Sequence, residues 1–378
     1  MSPALQVMSE VGKERKGGVR ILVVAGSSGG HIFPAVSFIE TLKAKYKDVD
    51  ILLVLPQKNI LKQADSPACR LKYIAIQPIK LCFSFDTLKG LFKLIKASFK
   101  AVFILIDFKP DLVVGFGSLI SVPVILSAWL FRVTTVIHEQ NVLPGRANRL
   151  LAKFSDKIAV SFKETEVTLK GVKKKIVFTG NPMRGSLIRL DKKIARDYFA
   201  LDPDKFTILV MGGSQGSQRI NEEFLKFASD ASLSEKLQVI HLSGSKDYNR
   251  LKQGYEDLSI KFKLFSFLGF MEYAYSACDC IVSRAGATTI AEIIYFKIPA
   301  VIIPYPYAYK HQLSNAKVLE KNGCAVVIED NELNVERLKQ VLVPLIDNPE
   351  KMENMRLGYG NFSDSNADEK LAELAMSA

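Results

Sequence analysis

The sequence predicts two α/β domains, each a doubly wound parallel sheet, and three observations carry that expectation. Short apolar runs without polar alternation recur along the chain and alternate with helix-length segments, the pattern of parallel strands covered on both faces. At 378 residues the chain exceeds what one ordinary core supports. The stretches "VRILVVAGSSGGHIFPAVSFIETL" and "KFTILVMGGSQGSQRINEEFLKF" lie half a chain apart, and each reads strand, glycine loop, helix. That echo makes the halves Rossmann-like and joins them near "TGNPMRG", residues 179–185.

Residues 1–18 mix charges with small residues, lack an apolar core of signal-peptide length and read as a loose extension. In the first half, strands are expected at 20–25, 50–55, 111–115, 133–137 and 157–161. In the second they are expected at 206–211, 237–242, 262–266, 279–282, 299–303 and 325–328. From Leu112 to Phe131 run 20 uncharged residues, the length of a membrane span. Gly115, Gly117, Ser118, Ser121 and Pro123 interrupt it, so a buried strand, a turn and a helix opening near Pro123 are expected instead. A composition 48% hydrophobic and 24% charged fits a globular protein. The five cysteines form no CxxC, and Cys278 and Cys280 read as core residues on one side of a strand, which points to a reducing setting.

In such sheets ligands bind beyond the carboxyl ends of the strands, where glycine admits close backbone approach and helix-start amides favour phosphate. "GSSGG" and "GGSQGS" suit that use, although neither is a strict GxGxxG or a Walker loop. A third loop, "DCIVSRAGATTIAEII" (279–294), is strand, Ser-Arg-Ala-Gly, then a helix from about Ala287. Thr288 and Thr289 in its first turn suit a diphosphate, and Glu292, one turn on, suits a ribose diol. The plainer reading makes the threonines helix caps and Glu292 a solvated carboxylate.

"GSSGGHIFPA", "HEQNVLPGRANR", "GNPMR", "GGSQGSQRIN", "SRAGATTIAE" and "HQLSNA" occur in the order and rough spacing of the MurG family. The chain resembles that family from about residue 19 to 330, with Ser27 and Ser28 where its first loop commonly has Gly-Thr. The resemblance implies a GT-B fold: an acceptor- and membrane-facing domain over 19–184, completed by a C-terminal helix at about 360–378, and a donor domain over 185–359, facing each other across a cleft. It implies an inverting transfer of N-acetylglucosamine from UDP-N-acetylglucosamine to the C4 hydroxyl of the undecaprenyl-linked acceptor lipid I. The product would be lipid II for peptidoglycan synthesis, made at the cytoplasmic face of the cell membrane by a peripheral protein. A related diacylglycerol glycosyltransferase is the alternative, which the "HEQN" and "HQLSNA" segments disfavour.

Carried over by position, Ser28, Gly29 and Gly30 would line the cleft, Asn141 would touch the donor sugar and Arg184 would help hold the nucleotide. Ser214 would meet a phosphate oxygen, and the Leu268 backbone would read the uracil edge. Ala287, Thr288, Thr289, Ile290, Ala291 and Glu292 would hold the diphosphate and ribose. Gln312 and Asn315, three apart on one helix face, would hydrogen-bond the sugar hydroxyls.

The four histidines are His31, His138, His241 and His311. His241 lies in an apolar strand and reads as a satisfied core residue. His138 opens "HEQNV", which fails HExxH because Val142 stands where the second histidine would be. His31 ends the first glycine loop, and a near-neutral pKa would suit it as general base, with Glu139 second. No metal or other cofactor is expected: "DVD" (48–50) and "DPD" (202–204) precede strands, poor places to hold a cation against a nucleotide.

The net charge of +12 raises a nucleic-acid reading, which fails for want of an aromatic-and-arginine surface motif. The basicity is local instead. Arg70, Lys72, Lys80, Lys89, Lys93, Lys96 and Lys100 face one acid, Asp86, between residues 66 and 106. Within that region "LKGLFKLIKASFKAVF" (88–103) reads as a helix gathering Leu88, Leu91, Phe92, Ile95, Phe99 and Phe103 on one face. Lys89, Lys93, Lys96 and Lys100 form a stripe beside it, with Leu94, Ala97 and Ala101 on the far side. One apolar face is expected in the core, and the other, with the lysines, on an anionic membrane surface.

Overall fold

The computed structural model describes residues 18–57, 69–76, 85–213, 215–307, 310–362 and 366–378, so the N-terminal extension and Ser214 lie outside the described residues. The chain divides into two compact units, Met1–Arg184 with Ser365–Ala378, and Gly185–Asp364. In the first, β1 (Val19–Val24), β2 (Val49–Pro56), β3 (Arg70–Ile74), β4 (Leu112–Gly115), β5 (Thr134–Glu139), β6 (Lys157–Val160) and β7 (Ile176–Phe178) form a parallel sheet in the order β3-β2-β1-β4-β5-β6-β7. In the second, β8 (Phe206–Met211), β9 (Leu237–Leu242), β10 (Lys261–Phe265), β11 (Cys280–Ser283), β12 (Ala300–Ile302) and β13 (Ala325–Val327) form another, ordered β10-β9-β8-β11-β12-β13.

The unalternating strands are explained by what covers them. Leu22, Val24, Leu52, Val54 and Val113 pack with Ala97, Ala101, Ile104 and Leu105 of helix Phe85–Phe108 and with Val124 and Ile125 of helix Ser121–Leu130. The alternate residues Ile21, Val23, Ile51, Leu53 and Val114 pack with Phe38, Ile39 and Leu42 of helix Gly29–Lys45 and with Leu371, Ala372 and Ala375 of helix Ala367–Met376. Both strand faces are therefore apolar. The final helix thus supplies part of the first unit's core, where the Asp368 carboxyl meets the Ser37 hydroxyl.

Two strands escape the sequence reading, β3 and β7, and both are sheet edges. "RLKYI" carries charge because an edge strand is half-open: Arg70 pairs with Asp50, and Lys72 with Asp107 at 2.5 Å. The apolar stretch 112–131 resolves into β4, a turn and helix Ser121–Leu130. No helix among the described residues is long and apolar enough to cross a membrane. Cys280 opens β11, but Cys278 ends the preceding helix instead of sharing the strand; both are buried.

Candidate active site

Each sheet reverses its strand order at one point, between β1 and β4 in the first unit and between β8 and β11 in the second. Such switch points open a crevice at the carboxyl ends of the strands, and the glycine loops sit there.

In the first unit the loop after β1 leads into helix Gly29–Lys45 with Ser28 at its cap. The Ser28 hydroxyl is not spent on the helix amides; its Oγ lies 2.7 Å from His31 Nδ1. The tautomer with the proton on Nδ1 donates to Ser28 Oγ and leaves Nε2 as an acceptor. The loop after β4 reaches the same ring. Gly117 holds φ +81, a conformation that strains any other residue, and a Cβ there would crowd His31 Nε2 at 3.3 Å and touch Asn148 Nδ2 at 3.4 Å. Burial lowers the His31 pKa to about 4, below the near-neutral value expected from the sequence, because the packed ring resists taking a charge. His31 is accordingly neutral throughout the physiological range.

Beside it, Glu139 ends β5, 2% exposed. Its Oε1 accepts from Asn141 N at 2.9 Å and Asn141 Nδ2 at 3.2 Å. Oε2 accepts from Gly145 N at 3.0 Å and Asn148 Nδ2 at 2.8 Å. Four donors on one carboxylate make Glu139 the organiser of the "HEQNVLPGRANR" loop. Asn148 also donates to the His138 carbonyl at 3.1 Å, while its Oδ1 is buried without a hydrogen-bond partner. Nothing in the sequence alone singles out Asn148. His138 is a structural residue: Nε2–H donates to the Gly180 carbonyl at 3.0 Å and Nδ1 accepts from Gln140 at 3.2 Å. His241 is the satisfied core histidine expected, tied to the Tyr255 hydroxyl at 2.8 Å and Asn221 Oδ1 at 3.0 Å. Arg184 lies with its guanidinium 5.1 Å over the Phe33 ring.

In the second unit the loops after β8 and β11 enclose a cavity of about 540 Å³. Gly212, Gly213 and residues 215–219 line one side, Arg284, Gly286 and Thr289 the other, and Tyr305 and Gln312 close it. Gly216 holds φ +76, and a Cβ there would meet the Ser243 carbonyl oxygen at 2.0 Å, so only glycine lets this loop lie so close to the chain after β9. Helix Ala287–Phe296 starts at the cavity with Gly286 as its cap. The buried Thr288 Oγ1 has no hydrogen-bond partner. Gln312 Oε1 accepts from Ala285 N at 3.1 Å and Tyr305 N at 2.9 Å, and Asn315 Nδ2 donates to the Ala285 carbonyl at 3.1 Å. Both amides thus fix the loop backbone.

The sequence-derived donor residues divide accordingly. Thr289 and Gln312 line the cavity; Leu268, Ala287, Thr288, Ile290, Ala291, Glu292 and Asn315 are not among its lining residues. Glu292 is 7% exposed, and its Oε2 accepts from the Tyr275 hydroxyl at 2.6 Å, so it is not the solvated carboxylate of the plainer reading. Arg284, unremarked in the sequence, is the buried cation of this cavity: Nη2 donates to Ser217 Oγ at 2.8 Å and Nη1 to the Ile303 carbonyl at 3.2 Å.

Two parallel α/β units with glycine loops at their switch points are the architecture of GT-B glycosyltransferases, enzymes that take a sugar from a nucleotide carrier. Residues 21–160 match the glycosyltransferase family 28 N-terminal domain and residues 207–371 its C-terminal domain. The chain belongs to this family, and within it to the MurG proteins. It is 35% identical over 363 residues, 95% of this chain and 98% of the relative, to a UDP-N-acetylglucosamine–N-acetylmuramyl-(pentapeptide) pyrophosphoryl-undecaprenol N-acetylglucosamine transferase of Thermodesulfovibrio yellowstonii. A protein of the same name from Halothermothrix orenii is 36% identical over 347 residues, 89% of this chain and 93% of the relative. The crystal structure of Acinetobacter baumannii MurG shares the fold at TM-score 0.76 and 24% identity, covering 96% of this chain and 100% of that one.

Proposed function

We propose that the chain transfers N-acetylglucosamine from UDP-N-acetylglucosamine to the C4 hydroxyl of lipid I, giving lipid II, by a single inverting displacement. The observation that carries the acceptor half is the convergence of the His31 ring and the Asn148 amide on the Gly117 backbone, with His31 Nε2 3.3 Å from where a Gly117 Cβ would stand and Asn148 Oδ1 buried without a hydrogen-bond partner. A buried oxygen without a partner costs stability unless a ligand or water donates to it, and a sugar hydroxyl is such a donor. His31 then takes the proton as the hydroxyl attacks the anomeric carbon. The charge growing on the leaving diphosphate meets the helix start at Gly286, the Thr289 hydroxyl and the guanidinium groups of Arg219 and Arg284. Preorganised donors of this kind stabilise the departing oxyanion without rearranging.

The family resemblance, and not the cavity lining, assigns Glu292 to the ribose, a contact alike in ground and transition states. Glu292→Ala therefore raises the donor KM about tenfold and changes kcat less. Steady-state kinetics against UDP-N-acetylglucosamine check this; a collapse of kcat at unchanged donor affinity would contradict it.

The lipid acceptor requires a membrane surface, and helix Phe85–Phe108 supplies a candidate. Its Ala97 and Ala101 face is buried, while Phe99 is 64% and Phe103 69% exposed, with Phe92, Ile95 and Ile106 on the outside as well. An ordinary core helix would bury its largest side chains; this one turns them outward. Lys96 and Lys100 are exposed beside them, and the helix it packs on, Ser121–Leu130, ends in exposed Trp129, Leu130 and Phe131. The side chains of Leu88, Lys89 and Leu91 lie outside the described residues. Changing Phe99 and Phe103 to serine abolishes vesicle co-sedimentation. Changing Lys93, Lys96 and Lys100 removes only the preference for anionic vesicles, each lysine contributing roughly 1 kcal/mol. Equal binding of the wild type to neutral and anionic vesicles would contradict the lysine role.

A further inference from the structure

The two cations lining the second unit's cavity share one carboxylate. Arg284 Nη1 donates to Asp330 Oδ1 at 2.5 Å, and Arg219 Nε lies 3.9 Å from Asp330 Oδ2. The Arg284 and Asp330 side chains are 10% and 16% exposed, and Asp330 is not among the residues that line the cavity. Resting on the reading that this cavity receives the donor's diphosphate, we infer that Asp330 is a resident counterion that competes with the diphosphate for Arg284 and Arg219 and so holds down the affinity for the product nucleotide.

An isolated guanidinium pair facing a diphosphate binds it tightly, and the same groups stabilise the transition state and retain the product. A fixed carboxylate hydrogen-bonded to Arg284 and within ion-pair distance of Arg219 repels the incoming anion and offsets part of that attraction in ground and product states alike. It also keeps the buried Arg284 charge compensated while the cavity is empty. Arg284 does not depend on Asp330 alone for its position. Ser217 Oγ, the Ile303 carbonyl and the Pro304 carbonyl at 3.3 Å accept from it too, and the Tyr305 ring lies 5.4 Å from its Cζ. Asp330→Asn preserves an oxygen acceptor for Nη1 and removes only the charge.

Calorimetric titration of the full chain with uridine 5′-diphosphate and with uridine tests the inference. The wild type binds the diphosphate more tightly than uridine, and Arg284→Lys weakens the diphosphate selectively. Asp330→Asn tightens diphosphate binding about tenfold while uridine affinity stays within about twofold. Asp330→Ser, measured alongside with a thermal melt of each variant, moves in the same direction. A purely structural Asp330 would give the opposite sign, weaker diphosphate binding, and that result, or no change, would overturn the inference while leaving the cavity reading intact. Equal wild-type affinities for diphosphate and uridine, with no effect of Arg284→Lys, would instead overturn the cavity reading and the inference with it.

Discussion

Replacing His31 with alanine lowers kcat by about 10² to 10⁴ while UDP binding persists, the range that losing a general base produces. The effect follows from geometry: Nδ1 is occupied by Ser28 Oγ at 2.7 Å and Nε2 is left as the acceptor over Gly117. The pH profile adds a second, sharper expectation. A solvent-exposed histidine would lose its base form as pH falls through its ordinary value near 6.5; His31, held down to about 4 by burial, keeps it for some two further units. The acid limb of kcat/KM that belongs to this residue therefore lies near pH 4. Such a weak base takes the proton late, once bond formation has made the attacking hydroxyl acidic. Retention of most turnover by His31→Ala at neutral pH would pass the role to solvent.

The second large effect belongs to Glu139, and its test separates positioning from proton transfer. Glu139→Gln keeps shape and volume but sets an amide NH₂ where one carboxylate oxygen accepts from two donors. Either orientation turns two hydrogen bonds into a donor–donor clash in a site 2% exposed, at a cost of about 1–3 kcal/mol for each buried donor left unmatched. We expect kcat/KM to fall about 10²-fold and the first unit to melt earlier, because Asn141 and Asn148 lose their anchor. Were Glu139 the base as well, the same variant would lose at least as much kcat as His31→Ala on top of the earlier melt. A kcat loss matching or exceeding that of His31→Ala would favour that alternative, and an unaltered melt would contradict the anchoring role.

The core strands were legible because they are buried on both faces, which forces continuous apolar runs such as "ILVV" and "ILLV". The edges β3 and β7 were not, since an edge strand such as "RLKYI" can carry charges that pair across the sheet. The glycine loops were legible for a local reason: strand, glycine loop and helix start are consecutive in the chain. Arg284 and Asn148 were hidden because their partners are remote. Arg284 meets Ser217 and Asp330, 67 and 46 positions away, and Asn148 becomes significant only where the Gly117 loop brings it beside His31. The lowered His31 pKa has the same origin, since no local pattern reports what packs on a ring. Glu292 is legible on its helix, but the Tyr275 hydroxyl that donates to it comes from the preceding helix, Met271–Ala277.

The most direct test of the account is transfer of labelled N-acetylglucosamine from UDP-N-acetylglucosamine to a short-chain lipid I analogue, with diacylglycerol as a parallel acceptor. The account predicts one sugar added at the muramyl C4 hydroxyl with inverted anomeric configuration, one UDP released per transfer, and none of either with diacylglycerol. Transfer to diacylglycerol with lipid I left unglycosylated, or retention of configuration in the product, would contradict it.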